Sequence, residues 1–177
     1  MIKKIFFVLV VAVGLVGCAT NLDGERYRSV GPTFDLFDFF NGTVRAWGLV
    51  QNRGGEVVQK FEVDIRGTVA GNRITLDETF RYAIGTGPEK RVWKVDRLDN
   101  GEYRGVADDV LGEAAGSVYG NAFRWSYRME IPVGNTLYEV GFEDWFWAID
   151  ERRLLNRSYI QKFGFDMAEV TIFMERQ

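Results

Sequence analysis

The sequence predicts an all-β fold, an antiparallel meander of eight to ten strands closed into a barrel, with a β-sandwich as the alternative. Three observations predict it. Apolar and polar residues alternate with a period of two in run after run. Short turn signals, not crossover-length segments, separate the runs. No long stretch carries the 3.6-residue periodicity of a helix. Sequential hairpins give a meander, one-sided alternation gives one buried face, and closure removes the exposed edges a long sheet would otherwise present.

The elements follow from the N-terminus. Lys3 and Lys4 precede an uncharged apolar run from Ile5 to Val16. A bilayer-spanning helix needs ~20 apolar residues, so this run is too short to span and fits the core of a signal peptide. It ends in Leu15-Val16-Gly17-Cys18, which resembles the lipobox of bacterial lipoproteins. That resemblance implies cleavage before Cys18, lipid on its sulfur and acylation, palmitate included, of the new amine. Residues 1–17 are thus expected to be a signal peptide, 18–32 a polar tether and 33–177 a single barrel domain.

Within that domain, Thr43 to Gln51 reads as a strand ended by Asn52-Arg53-Gly54-Gly55. Phe61, Val63 and Ile65 alternate with Glu62, Asp64 and Arg66, and Gly71-Asn72 turns the chain. Ile74, Leu76, Phe80 and Tyr82 form the next apolar row, with Glu78 among them. Arg91 to Leu98 and Glu102 to Ala107 flank Asp99-Asn100-Gly101, a hairpin signal. Phe123, Trp125, Tyr127, Met129 and Ile131 face one way, while Arg124, Ser126, Arg128 and Glu130 face the other. Gly134-Asn135 then leads to Tyr138, Val140, Phe142, Asp144 and Phe146, and two further strands lie in Arg152 to Phe163 and Phe165 to Glu175.

Composition excludes several functions. Cys18 is the only cysteine, so the domain has no disulfide, no cysteine metal site and no thiol nucleophile. The chain has no histidine, the commonest general base and metal ligand. Without Lys3 and Lys4 the net charge of −3 becomes −5, which argues against nucleic acid and against electrostatic docking on anionic lipid. The serines, Ser29, Ser117, Ser126 and Ser158, sit in no Gly-x-Ser-x-Gly motif, and the glycines form no phosphate loop. No metal site or cofactor is expected, and no nucleophile–base–acid set emerges from these motifs.

The candidate site lies on the inward phase. Asp144 is in register with Phe142 and Phe146, so its carboxylate should point inside, where it needs a partner or a raised pKa. Arg157, on the next strand, is the candidate partner. Asp144 is read either as half of a structural ion pair or a residue at the wet barrel rim, or as an anchor for a ligand head group or an acid–base residue. Glu78 raises the same question, with solvent at an open barrel end as the plainer explanation. Trp125 and Tyr127 could line a pocket or fill a core. Asp108-Asp109 reads as a turn or capping pair, with a hard cation as the sharper alternative. Trp145 and Trp147 make the outer face of their strand apolar. That face calls for a cover: the Phe34 to Phe40 segment, a membrane surface or a partner.

Further residues carry a family resemblance. They are Gly101-Glu102-Tyr103, Ala107-Asp108-Asp109-Val110-Leu111-Gly112, Gly120-Asn121-Ala122 with Trp125 and Tyr127, Ile131-Pro132-Val133, Phe142-Glu143-Asp144-Trp145, Asn156-Arg157, Lys162-Phe163-Gly164 and Glu169-Val170-Thr171. In these the chain resembles an uncharacterised family of proteobacterial lipoproteins defined as a domain of unknown function. The resemblance implies a lipocalin-like barrel and no transferable activity. Ala19 follows the cysteine without an aspartate after it, which resembles the enterobacterial pattern for sorting to the periplasmic face of the outer membrane. The expected protein is a lipid-anchored barrel that binds or carries an apolar or lipid ligand. Its pocket candidates are Trp125, Tyr127, Phe142, Asp144, Phe146, Arg157 and Glu78. The alternatives are a structural or interaction lipoprotein with a filled core and a barrel enzyme, of isomerase or hydratase type, acting on a lipid.

Overall fold

The computed structural model describes residues 20–177, so Cys18 and the apolar run before it lie outside the described residues. Ten strands follow in order: β1 Gly42–Asn52, β2 Val57–Ala70, β3 Arg73–Ile84, β4 Lys90–Arg97, β5 Tyr103–Val106, β6 Ala114–Tyr119, β7 Ala122–Val133, β8 Thr136–Ala148, β9 Arg153–Lys162 and β10 Phe165–Arg176. Each pairs antiparallel with the next, and β1 pairs with β10 from Val44↔Arg176 to Asn52↔Ala168, which closes the barrel. The fold is the all-β, antiparallel, closed barrel that the alternation predicts.

The turns form where the sequence places glycine. Gly71, Gly101 and Gly134 hold φ of 62°, 80° and 60°, a left-handed conformation that glycine adopts without steric cost. At Asp99-Asn100-Gly101 the Asn100 side chain also accepts a hydrogen bond from Glu102 N at 3.0 Å. Strand β6 carries little alternation of its own, because it is built small. A Cβ at Gly116 or at Gly105 on β5 would strike the Trp125 ring, so these glycines make room for that side chain inside the barrel.

The two ends of the barrel differ. Helix α1, Leu36–Phe40, fills the end where β1 begins. Asp35 caps it, its Oδ1 accepting from Phe37 N at 2.8 Å and Asp38 N at 3.0 Å, and Arg97 Nη2 donates to the same oxygen at 2.6 Å. Phe34, Leu36, Phe37, Phe39 and Phe40 are all buried there. A helix of five residues surrounded by core shows no amphipathic period, so its sequence gives no helical signal.

Residues before α1 descend the outside of the wall. Thr20 N and Oγ1 donate to Asp166 Oδ2 at 2.9 and 2.6 Å, and Gln161 Nε2 donates to Thr20 O at 3.2 Å, near the end of the barrel opposite α1. A 3-10 turn at Gly24–Tyr27 sets the Tyr27 ring 6.0 Å from Trp145 and 6.1 Å from Trp147. Phe34 N then donates to Gly120 O at 2.8 Å, and the chain turns under the barrel. Leu22, Tyr27 and Tyr119 therefore cover Trp145. The Phe34 to Phe40 segment does not: apolar on nearly every side, it is driven into the barrel floor instead of lying on the wall with one face in water.

Candidate functional site

Above the α1 floor the barrel is hollow. A cavity of about 720 Å³ opens at the end where β7 meets β8 and β9 meets β10. Its wall is built from the inward rows of the strands, among them Phe61, Phe80, Trp93, Trp125 and Ile160. Trp93 packs edge-on against both Trp125 and Tyr127, at 5.6 and 5.4 Å, and Tyr127 stacks on Phe142 at 4.9 Å with the rings nearly parallel. Small-molecule pockets run from roughly 300 to 1,000 Å³ and are mostly apolar with a few placed polar groups. This cavity has that size and that composition.

The polar groups sit at mid-depth. Asp144, opposite Trp125 on β7 and Ser158 on β9, is buried in the wall and accepts a hydrogen bond from Ser158 Oγ. Burial pushes its carboxyl up to about 7, against the pull of the Ser158 and Tyr127 hydroxyls and of Arg91. Burial likewise raises Glu78 to about 7, opposed by Arg91 and reinforced by Asp109 and Asp144. The Tyr127 phenol is held well above its ordinary value by burial and by the Asp144 charge.

Arg91 lies beside Glu78 in the β3–β4 register. Its Nη2 donates to Asp109 Oδ2 at 2.7 Å, and its Nε lies 3.0 Å from the same oxygen. Burial lowers the Arg91 pKa, but the Asp109 hydrogen bonds and the surrounding negative groups outweigh that and hold it charged. Asp109 comes from the loop between β5 and β6, which fills the wall where those strands stop short. Val110 bridges to Met129 there, and Leu111 N donates to Arg128 O at 2.8 Å.

The structure sorts the expected residues. Trp125, Tyr127, Phe142, Asp144, Phe146 and Glu78 all line the cavity. Arg157 does not. It is on the outward phase of β9, opposite Trp145, with its Nε 3.7 Å from Glu169 and both side chains nearly half exposed. The inward residues of β9 are its neighbours Asn156 and Ser158, so the partner of Asp144 is a hydroxyl and no ion pair forms. Glu78 sits inside the barrel and not at its rim. Asp108 and Asp109 form the expected turn, with Val110 N donating to Ala107 O at 3.1 Å; Asp109 is in addition the ion-pair partner of Arg91, while Asp108 faces solvent. Among the described residues no cluster of acidic groups could hold a metal ion. Arg91 was missed in the sequence, although its signal was there: it alternates in phase with Trp93 and Val95.

Chemically, the cavity offers an apolar wall and an acid-rich interior. Glu78, Asp144 and Asp109 face one guanidinium, and that guanidinium is already engaged. The groups left without an ionic partner are therefore two carboxyls, Glu78 and Asp144, that are each partly protonated near neutral pH, with the Tyr127 and Ser158 hydroxyls beside them. They suit a neutral or cationic polar group and repel an anion.

Comparison with solved structures places the architecture. The S-type phycobiliprotein lyase CPES from Guillardia theta matches over 80% of this chain and 90% of its own, with a TM-score of 0.58 and 11% identity. The barrel is thus lipocalin-like, a likeness of fold. No curated protein matches the sequence. The family model described as "Protein of unknown function (DUF3833)" matches residues 12–176, nearly the whole chain, and the protein belongs to that family.

Proposed function

We propose that the protein binds an apolar ligand carrying a neutral or cationic polar group, and that it does so as a lipoprotein held at the outer membrane through Cys18. The single observation behind the ligand is the open cavity of about 720 Å³ with Glu78 and Asp144 inside it. An interior left hollow weighs against the filled-core alternative. A lipid alcohol, amide or amine fits the wall and the acid pair together. The Leu15-Val16-Gly17-Cys18 motif supports the anchor.

Two of the five tryptophans, Trp93 and Trp125, line the cavity, which gives the binding test its signal. Titration with a dansyl-labelled long-chain alcohol should produce saturable energy transfer from tryptophan. Ala168 lines the cavity as well, and Ala168→Trp places an indole in it. That variant should keep the barrel's circular dichroism and lose at least tenfold in affinity, about 1.4 kcal/mol. Equal binding by the folded variant would remove the cavity as the site. The anchor is tested separately. Cys18→Ser should abolish labelling by palmitate and shift the protein out of the outer-membrane fraction of a sucrose gradient, and equal labelling of both forms would dismiss the anchor.

One observation favours a second reading. Two carboxyls raised to about 7 in one cavity are placed as acid and base near neutral pH, so the bound molecule could undergo proton transfer. Ligand recovered after incubation with no change in mass or isomer composition would dismiss that reading.

A further inference from the structure

The open end of the barrel and the start of the described chain lie on the same side of the molecule. Thr20 is fixed to Asp166 on β10 and to Gln161 on β9, close to the β9–β10 turn. Cys18 is two residues upstream, and two residues reach at most ~7 Å. Phe163, at the tip of that turn, is two residues beyond Gln161, a rise of again ~7 Å along the strand. The described chain therefore starts beside the mouth of the cavity, two residues of chain from the anchor cysteine.

That side of the rim is apolar. Phe163 is 86% exposed, Leu137 62% and Val133 58%, and the β7–β8 and β9–β10 tips that carry them are adjacent. Lys162 ties the two tips together, its Nζ donating to Glu139 O at 2.7 Å and lying 5.3 Å from the Tyr138 ring and 4.7 Å from the Phe163 ring. Phe163 also holds φ of 53°, the left-handed region that a bulky side chain disfavours and where Asn or Gly would serve a tight turn better. A large aromatic side chain is kept there despite the conformational cost and the contact with water. The acidic rim residues Glu56, Glu89 and Glu113 belong to the other loops of the mouth. The turns at the α1 end, Asp99-Asn100 and Asp150-Glu151-Arg152, are charged or polar, and Ile149, 53% exposed, is the large apolar residue among them.

We propose that the mouth of the barrel rests on the bilayer that holds the chain, with Phe163, Leu137 and Val133 in its surface, so that a ligand passes between membrane and cavity without crossing water. This rests on the reading of Cys18 as the lipid anchor. The contact is apolar, with the Lys162 ammonium lying at the headgroup level, so it is insensitive to salt, as the net negative charge of the domain requires.

The test uses the full-length lipidated protein in vesicles of phosphatidylethanolamine with a minority of phosphatidylglycerol. Cys18 is blocked by its lipid, so Phe163→Cys, Leu137→Cys and, at the opposite end, Asp99→Cys each carry a single thiol for a nitrobenzoxadiazole label. All three sites are exposed, and the core is untouched. The protein should float with the vesicles. Labels at 163 and 137 should shift to the blue and be quenched by lipids bearing a shallow nitroxide, at low and high salt alike, while the label at 99 should report water. A protein that floats with all three labels in water, or with 99 quenched in place of 163, overturns the mouth contact and leaves the anchor standing. A protein that does not float overturns the anchor and the mouth contact with it.

Discussion

Adding one methyl group at Gly67 is expected to unseat the barrel floor. A Cβ there would collide with the carbonyl oxygen of Phe40, which is backbone and cannot rotate away, and it would press on Leu76. Overpacking of a tight core costs ~1–3 kcal/mol and more where the neighbour is rigid. Gly67→Ala should therefore lose at least ~3 kcal/mol in urea unfolding, and α1 should lift out with its buried phenylalanines, increasing the binding of a hydrophobic dye. Gly134→Ala supplies the comparison. Its φ of 60° is unsuited to alanine, but nothing lies within 4 Å of the added carbon, so it should cost only the backbone strain of ~1–2 kcal/mol. If Gly67→Ala costs no more than Gly134→Ala, α1 is not seated as described.

The second large effect belongs to Asp144. Its carboxyl titrates near 3.8 when unfolded and about 7 when folded, because burial disfavours the charge. Between those values the folded state holds the proton more tightly, so stability is greatest below about 4, falls as pH rises and levels off above 7. The full difference corresponds to a ceiling of roughly 4 kcal/mol. Asp144→Asn removes the charge and keeps an acceptor for Ser158 Oγ. It should gain stability over the parent from pH 4 to 7, reach its largest gain near pH 8, and flatten the pH profile of denaturant unfolding. Glu78 leaves a residual slope of the same sign. Arg157→Met should add independently to Asp144→Asn within ~0.5 kcal/mol, since the two side chains are on opposite faces of the wall. A loss of stability in Asp144→Asn at pH 8 would mean that the carboxylate is satisfied as an anion.

Much of this was legible in the sequence, and the rest failed for identifiable reasons. β7 and β8 alternate so regularly that the inward direction of Trp125, Tyr127, Phe142 and Asp144 follows from phase alone. β9 misleads because its inward row holds Asn156 and Ser158 while its outward row holds Leu155 and Tyr159, so polarity does not mark the faces and Arg157 reads as inward. β6 gives no strand signal because Ala114-Ala115-Gly116 has little strand propensity; its small residues are there for rings that arrive from β7. Helix α1 is too short for periodicity. The rim reading of Glu78 fails because the depth of a position in a barrel depends on strand tilt and on which end is plugged. Neither is written in the local pattern.

Closure between β1 and β10 sets the order in which the molecule can be made. Val44 must find Arg176, so the last seam joins residues at opposite ends of the domain. A chain emerging N-terminus first has its floor segment and its first nine strands before the tenth exists, and until then β1 and β9 each present a bare edge. Loop closure over that span is slow, and an unpaired edge invites pairing with another chain. Removal of β10 by a protease therefore leaves an open sheet, not a slightly weakened barrel. The cavity is thus enclosed only once β10, Phe165–Arg176, has paired with β1.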